Sequence, residues 1–503
     1  MTSSGVSRQR GALPGAAGEA CALLREQAFI AGEWSDADSE RTLTVADPAT
    51  GAGIGCVPDM GAAETRRAID AAAAAQPLWA ALTAWQRGAC LRRWGDLMRE
   101  QREALAHLMT LEQGKPLAEA RGEIDYAASF LTWFGEQGER LDGEVITSHL
   151  PGRKMFALRA PIGVTAAITP WNFPSAMVTR KAGAALAAGC AMIVRPASQT
   201  PFSALALALL AERSGIPPGV FQVITGSARA IAGELMSSAT VRHVSFTGST
   251  EVGRQLLAQG AATVKKMAME LGGHAPFIVC EDVDVESAVR GALAAKFQTS
   301  GQDCLAANRI FVARPIYDEF CARYAEAVRA LKVGNGFEEG VDIGPLIDES
   351  AVQTCQAHVD DAVSKGARVL AGGPAGAVAR RFFRPAVLAD VTPDMRIFRE
   401  ETFGPVAALL PFDSDAEAVQ LANRTEYGLA AYVFGRDLAR LWQLAERLEY
   451  GMVAVNTVKM TGPPVPFGGV KQSGLGREGS RHGIEEYCEI KYLCVNGLGV
   501  PHA

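Results

Sequence analysis

A cysteine, Cys304, lies in the short polar stretch FQTSGQDCLAANR, which runs from Phe297 to Arg309. A thiol reacts as a nucleophile once it has lost its proton, and a free cysteine is mostly protonated at neutral pH. The stretch contains no His or Lys, and its one acid is the adjacent Asp303. If Cys304 is a nucleophile, the group that activates it must come from another part of the chain.

Other loop-like segments carry side chains that could act together with a nucleophile. Asn172 lies in a turn between two prolines in AAITPWNFP, and Glu270 precedes two glycines in MELGGHAPF. Glu401 and Phe403 lie just before Gly-Pro in EETFGP. Loop residues with no role in a helix or strand are better functional candidates than core residues. Each of them, taken alone, is also consistent with a structural role such as a turn cap or a surface acid.

The elements that must position these residues follow a recognisable order. From residue 161, the segments CAMIVRP, FQVIT, VRHVSFTG and KKMAMEL are typical of strands and are separated by helical segments. A second series begins at APFIVCE and continues to YGMVAVNT. This order predicts an α/β fold with two Rossmann-like parallel-sheet domains covered by helices. Residues 64–141 are rich in Ala, Leu, Glu and Arg, which predicts a set of amphipathic helices.

No complete dinucleotide fingerprint is found in the sequence. GAGIGC, which begins at Gly51, breaks the G-x-G-x-x-G pattern at Cys56 and follows no βαβ unit, so it predicts a hairpin or turn. FTGSTEVGR places Gly248 and Gly253 across a strand-to-helix junction, where free N–H groups favour an anion. The segment lacks the Gly-Lys-Ser/Thr ending of a triphosphate loop, so ATP chemistry is not supported.

Composition excludes several classes of protein. The 503 residues are 48% hydrophobic and 21% charged, which is typical of a globular protein of two to four structural units. The net charge of -6 and the absence of a dense Lys/Arg run argue against nucleic-acid or membrane partners. The ten cysteines form no C-x-x-C pair and the seven histidines are scattered, so no metal site is expected. We expect free thiols and a cytoplasmic location.

Taken together, the motifs resemble the NAD(P)-dependent aldehyde dehydrogenase superfamily over about residues 28–498. The resemblance rests on PWNFP, FTGSTEVG, MELGG, GQDC, EETFGP and PFGGVKQSGLGREG in family order, with Glu270 34 residues before Cys304. It implies that Cys304 attacks an aldehyde carbon and that the Asn172 amide and the Cys304 N–H hold the oxyanion. It also implies that Glu270 activates the water that releases the acid.

The resemblance further implies a coenzyme site. Glu401 is expected to bind the nicotinamide ribose, Phe403 to pack on the coenzyme, and Gly248 and Ser249 to contact the pyrophosphate. The other residues expected along the coenzyme cleft are Ile168, Thr169, Trp171, Arg195 and Ser198.

Two of these positions bear on the choice of coenzyme. The family usually has Lys where this chain has Arg195, and members that prefer NAD often have Glu where this chain has Ser198. A carboxylate at that position binds the ribose hydroxyls and repels a 2′-phosphate, whereas a cation attracts the phosphate. We therefore expect NADP to be accepted, with NAD also usable.

Four further segments resemble the succinate-semialdehyde dehydrogenase subgroup: TRKAGAALAAGC, PASQTPFSALAL, VGNGFEEGVDIGPLI and SGLGREGSRHGIEEYCEIKY. That subgroup holds the substrate carboxylate with two arginines and a serine. Arg180 matches the first arginine, but Gln298 occupies the position of the second and Thr461-Gly462 replaces the serine segment. Lys459 could supply the missing cation or could simply be solvated. The remaining expected substrate contacts are Phe173 and Phe467.

With this altered clamp, three kinds of substrate remain possible. The first is succinate semialdehyde, and the second is a longer or oxygenated acid semialdehyde such as that of glutarate or 2-oxoglutarate. The third is a neutral aldehyde, in which case Arg180 has only a structural role. A non-catalytic binding or structural relative is disfavoured by the intact Cys304, Glu270 and Asn172. A CoA-acylating dehydrogenase is disfavoured by Glu270, because such relatives generally lack that glutamate.

The expected organisation has four parts. Residues 1–27 form a flexible leader, and residues 28–140 and 161–272 form the NAD(P)-binding domain. Residues 273–473 form the catalytic domain. Residues 141–160 and 474–503 form a bridging element with a small β-hairpin, through which the resemblance implies a homodimer or homotetramer.

Overall fold

The structure of the protein is a computed structural model that describes residues 22–372, 377–379 and 381–497. Most of the expected leader, residues 1–21, lies outside the described residues. Within the described ranges, no helix is long and apolar enough to cross a membrane.

Strands make up five separate sheets. In chain order they are β1 (Ala28–Ile30), β2 (Glu33–Ser35), β3 (Thr42–Ala46), β4 (Gly53–Pro58), β5 (Glu144–Ile146), β6 (Arg153–Pro161), β7 (Val164–Ile168), β8 (Ala191–Arg195), β9 (Phe221–Val223), β10 (Val241–Thr247), β11 (Lys266–Glu270), β12 (Ala275–Val279), β13 (Ala307–Ala313), β14 (Arg368–Ala371), β15 (Ala377–Ala379), β16 (Phe382–Phe383), β17 (Ala386–Ala389), β18 (Val406–Phe412), β19 (Ala430–Phe434), β20 (Met452–Val455), β21 (Gly474–Leu475) and β22 (Cys488–Asn496).

Helices connect and cover these strands. They are α1 (Ala62–Ala81), α2 (Ala84–Glu100), α3 (Arg102–Gln113), α4 (Leu117–Gly138), α5 (Ala176–Ala188), α6 (Pro201–Arg213), α7 (Ala228–Ser237), α8 (Thr250–Gly260), α9 (Val285–Phe297), α10 (Tyr317–Arg329), α11 (Glu349–Ser364), α12 (Arg396–Arg399), α13 (Asp415–Asn423), α14 (Leu438–Arg447) and α15 (Ser480–Glu485).

The first sheet has eight strands in the order β2-β1-β9-β8-β7-β10-β11-β21. Its five central strands run parallel, because each connection returns through a helix. Ile168, Arg195, Thr247 and Glu270 are the last residues of β7, β8, β10 and β11, so they end at one edge of the sheet. Ligands of open α/β sheets bind outside this edge.

The second sheet has seven strands in the order β14-β17-β18-β13-β12-β19-β20, of which β14 alone runs antiparallel. Separate buried apolar clusters cover its two faces, as the continuous apolar runs of its strands require. The two parallel sheets confirm the predicted α/β fold.

A third, three-stranded sheet joins distant parts of the chain. β6 pairs antiparallel with β5 and, from Arg153 to Pro161, with β22. β21, at the start of the C-terminal segment expected to form the bridge, instead pairs with β11 of the first sheet. GAGIGC lies in the β3–β4 hairpin, as its broken glycine pattern predicts.

Candidate active site

The loop that carries Cys304 has a constrained backbone. Thr299, Ser300 and Gly301 have φ angles of 49°, 59° and 74°, all in the left-handed region that non-glycine residues rarely adopt. A Cβ on Gly301 would lie 2.4 Å from the Gly404 carbonyl oxygen, so this position has no space for a side chain. Such strain persists where the surroundings hold it, and here it places Cys304 at the end of a short, fixed turn.

A pair of glycines joins this loop to two other predicted segments. A Cβ on Gly273 would lie 2.1 Å from the Cys304 carbonyl oxygen, and one on Gly272 would lie 2.8 Å from Oε2 of Glu401. The Gly273 N–H also donates to Oε1 of Glu401 at 3.0 Å. Because Glu270 ends β11 just before these glycines, the structure brings Glu270, Cys304 and Glu401 together.

Asn172 is held at the nucleophile loop by partners on both its side chain and its backbone. Its Nδ2 donates to the Gln302 carbonyl at 3.0 Å, and its own carbonyl accepts from Lys115 Nζ at 2.8 Å. One Nδ2 hydrogen therefore remains for a substrate oxygen. The Cys304 backbone N–H also has no hydrogen-bond partner among the described residues, so both groups predicted to hold the oxyanion have an N–H that can donate.

Sequence reasoning missed the buried ion pair behind Asn172. Lys115 Nζ lies 2.5 Å from Oε2 of Glu123, and both side chains are 1% exposed. The other Glu123 oxygen accepts from the N–H groups of Ser175 and Ala176 at the start of α5. The pair thus holds the PWNFP turn at its middle residue, Asn172, and at the two residues that follow it. The sequence signal was a lysine confined between Gly and Pro and followed by an acid on the next helix.

A second missed cluster lies behind Glu270. Arg180 Nε lies 2.5 Å from Oε2 of Glu478, and Lys181 Nζ contacts the other oxygen of the same carboxylate. Lys181 also donates to Ser245 Oγ at 2.9 Å and Thr247 Oγ1 at 2.7 Å. One buried carboxylate therefore serves two buried cations. Arg180 Nη2 donates to the Met177 sulfur at 3.0 Å, and the other terminal N–H groups of Arg180 have no hydrogen-bond partner among the described residues.

The electrostatic environment raises the pKa of both Cys304 and Glu270. Burial, followed by the charges of Asp303 and Glu401, raises the pKa of the Cys304 thiol well above its usual range. Burial and then the neighbouring Glu478 raise the pKa of Glu270 well above the ordinary carboxyl value, against the opposing effect of Arg180. A carboxylate whose pKa is raised is a stronger base, so it suits proton abstraction near neutral pH.

The predicted coenzyme residues line the edge where the first sheet's strands end. Gly248 and Ser249 precede α8, whose free N–H groups suit a phosphate. Trp171 and Phe403 meet edge to face with ring centroids 5.5 Å apart. Burial raises the pKa of Glu401 to about 7.

Two buried polar atoms at this edge of the first sheet bear on whether it can bind a nicotinamide coenzyme. Thr169 Oγ1 and Arg195 Nε are buried and have no hydrogen-bond partner among the described residues. Ile168, beside them, is 8% exposed and supplies an apolar wall. Polar groups left unpaired in a cleft beside a helix N-terminus fit a polar, phosphate-bearing ligand.

All five predicted substrate residues border one cavity. Its volume is about 940 Å³, and it is lined by Phe173, Arg180, Gln298, Lys459 and Phe467 together with Cys304. The Arg180 guanidinium lies 4.0 Å from the centroid of the Phe467 ring. Gln298 and Lys459 are exposed at the opening, whereas Arg180 is buried. The cavity thus joins the nucleophile to a buried cation.

Comparisons with known proteins match nearly the whole chain. The chain is 57% identical over 476 residues to the glutarate-semialdehyde dehydrogenase of Pseudomonas aeruginosa, covering 95% of this chain and 99% of the relative. It is 56% identical over 473 residues to the NADP(+) succinate-semialdehyde dehydrogenase GabD of Escherichia coli, covering 94% and 98%.

A solved structure of an E. coli NADP-dependent enzyme superposes with a TM-score of 0.94 at 55% identity, covering 95% of this chain and 99% of that one. The sequence model of the aldehyde dehydrogenase family matches residues 34–493. The chain therefore belongs to the aldehyde dehydrogenase family and is an NAD(P)-dependent oxidoreductase that acts on aldehydes.

Proposed function

We propose that the protein oxidises an acid semialdehyde to the dicarboxylic acid, with Cys304 as nucleophile. The observation that carries this proposal is the single cavity in which Cys304 and the buried Arg180 both lie. An arginine pairs strongly with a carboxylate, so Arg180 can hold the acid end while Cys304 meets the aldehyde. The two relatives named above, which act on glutarate and succinate semialdehydes, support this substrate class.

In the proposed reaction, Glu270 takes the proton of the Cys304 thiol, and the sulfur bonds to the aldehyde carbon to give a thiohemiacetal. The Asn172 amide and the Cys304 N–H stabilise the oxyanion, and each such donor typically contributes about 3 kcal/mol. The bound nicotinamide coenzyme supplies the hydride acceptor. Glu270, having released its first proton to solvent, then takes a proton from the water that hydrolyses the Cys304 thioester.

The proposed coenzyme is NADP, with NAD also accepted. Burial without a carboxylate partner among the described residues lowers the pKa of Arg195 to about 10. Arg195 Nη2 donates to Ser198 Oγ at 2.8 Å. A neutral serine thus lies beside Arg195, at the position where a glutamate would repel the 2′-phosphate of NADP. A buried, unneutralised cation favours the 2′-phosphate. Comparing kcat/KM for the two coenzymes tests this, and strict NAD specificity would contradict it.

We also propose a cytoplasmic homodimer or homotetramer. The β5–β6–β22 sheet exposes Val145, Leu158, Ile490 and Tyr492, and such an apolar strip suits burial against another copy. The described cysteines are all unpaired, as in a reducing compartment. Light scattering tests the assembly, and a monomer would contradict it.

The test of the main proposal is the formation of reduced coenzyme with succinate, glutarate and 2-oxoglutarate semialdehydes beside butanal and pentanal. A higher kcat/KM for the acids, lost in Arg180→Ala, is the expected result. Because Arg180 also pairs with Glu478, folding of the variant is checked by its melting temperature. Equal use of the neutral aldehydes by the wild-type protein would overturn the acid assignment.

A further inference from the structure

The substrate cavity is lined by four basic side chains, and three of them already have carboxylate partners. Lys115 pairs with Glu123 at 2.5 Å, and Arg180 with Glu478 at 2.5 Å. At the opening, Arg290 pairs with Glu286, four residues earlier on α9, at 2.6 Å.

Lys459 is the fourth basic residue and differs from the others. Its side chain is exposed at the cavity opening and has no carboxylate or other hydrogen-bond partner among the described residues. Its backbone N–H donates to Thr457 Oγ1 at 3.2 Å, which orders the chain on that side of the opening. An ammonium group without a partner, on a loop that borders a cavity, is free to bind an anion that enters it.

The region around Gln298 offers no cation of its own. Gln298 is neutral, and the neighbouring Thr299 N–H donates to Oε2 of Glu119 at 3.0 Å. Glu119 lines the cavity and makes no ion pair with a described residue. This side of the opening therefore presents an amide and a carboxyl group, and a substrate carboxylate gains less there than from a guanidinium.

We propose that Lys459 supplies the second positive charge for the substrate carboxylate, in concert with Arg180, and so makes the enzyme tolerant of acid-semialdehyde chain length. This inference rests on the proposed function. A guanidinium fork binds a carboxylate bidentately and fixes its position, whereas an ammonium on a flexible stem binds as a point charge. Succinate and glutarate semialdehydes are therefore used with kcat/KM values within about tenfold of each other.

The test uses Lys459→Gln with both acid semialdehydes and with butanal and pentanal. The expected result is an increase of about five- to tenfold in the KM of both acids relative to the KM of the neutral aldehydes, as for one charge-assisted contact at an exposed site. The effect shrinks as ionic strength rises, because salt screens exposed charges. Lys365→Gln, which removes a positive charge just after the end of α11 and outside the cavity, leaves both KM values unchanged.

A double variant sharpens the assignment. Gln298→Arg places a guanidinium group beside Glu119 that can bind the substrate carboxylate bidentately. Lys459 then contributes less, so Lys459→Gln in the Gln298→Arg protein raises the KM of the acids by less than twofold. An equal effect on both backgrounds, or an increase with Arg290→Gln in place of Lys459→Gln, would overturn the inference. If the wild-type protein prefers acids and Lys459→Gln has no effect, this inference fails while the proposed function stands. If the wild-type protein shows no preference for acids, the proposed function fails first.

Discussion

The nucleophile centre (Cys304, Glu270 and Asn172) and the cavity opening (Gln298, Arg290 and Lys459) are built on opposite principles. At the nucleophile centre, each residue is tied to another segment of the chain by a close backbone contact or a hydrogen bond. At the opening, the side chains are exposed, and Lys459 has no partner among the described residues. The chemistry is therefore fixed by contacts on which the fold depends, whereas the part of substrate choice that lies at the opening rests on side chains that can change without disturbing the fold.

Replacing the nucleophile should have the largest effect on the reaction. Cys304→Ala is expected to lower kcat by on the order of 10⁴-fold or more with acid and neutral aldehydes alike, since no covalent intermediate can form. Steady-state assays measure this, and Cys494→Ala, which removes an exposed thiol on β22, should behave as wild type. Substantial activity in Cys304→Ala would place the nucleophile elsewhere.

The second-largest effect is expected from replacing Glu270, the proposed base. Glu270→Gln should lower the steady-state rate by on the order of 10²–10⁴-fold, because the thiol and the hydrolytic water both lose their proton acceptor. Any thioester that still forms should persist, so quenched reaction mixtures should carry a substrate-derived mass on the peptide that contains Cys304, as mass spectrometry can detect. Glu319→Gln, an exposed acid paired with Arg323, serves as the control. A wild-type rate in Glu270→Gln would exclude Glu270 as the base.

The buried ion pair of Lys115 and Glu123, which holds the Asn172 turn, is expected to affect stability as well as activity. Glu123→Gln leaves the Lys115 ammonium buried without a counter-charge, a change that typically costs roughly 3–5 kcal/mol of the free energy of unfolding. It should lower the melting temperature and, by loosening the Asn172 turn, lower kcat more than it raises KM. Glu100→Gln breaks an exposed pair with Arg93 and should change neither quantity measurably. Equal melting temperatures for the two variants would refute the cost in stability, and an unchanged kcat in Glu123→Gln would refute the positioning role.

The sequence predicted the local elements well. KKMAMEL was assigned to a strand and contains β11, and CAMIVRP was assigned to a strand and contains β8. These assignments succeed because apolar alternation and helix-end signals act over a few residues. The catalytic motifs could be placed at loops for the same reason, and the resemblance then supplied their roles.

The long-range charge network could not be predicted. Lys181 and Glu478 are 297 residues apart in the chain, and Lys115 and Asn172 are 57 apart. Nothing local distinguishes a charged helix residue that is buried against such a partner from one that faces solvent, because burial is decided by tertiary packing. The same limit applies to Lys459, whose lack of a partner became visible in the folded chain.

The smallest expected effect is a pH dependence at the opening. Burial raises the pKa of Glu119 to about 7, although the Lys115 charge opposes the shift and the Asp303 charge adds to it. Below pH 7 the carboxyl group is therefore neutral, and above pH 7 it carries a negative charge beside Gln298. The KM of acid semialdehydes, relative to that of neutral aldehydes, should rise about two- to fourfold between pH 6 and 8 as this repulsion appears.

Glu119→Gln removes the titrating group while it keeps an acceptor for the Thr299 N–H, so it should flatten this profile. Taking the ratio of the two KM values cancels the titration of Glu270 and Glu401, which acts on both aldehyde classes. A ratio that rises equally in the variant would assign the repulsion to another carboxylate. A ratio that is flat in the wild-type protein would contradict the proposed repulsion between Glu119 and the substrate carboxylate.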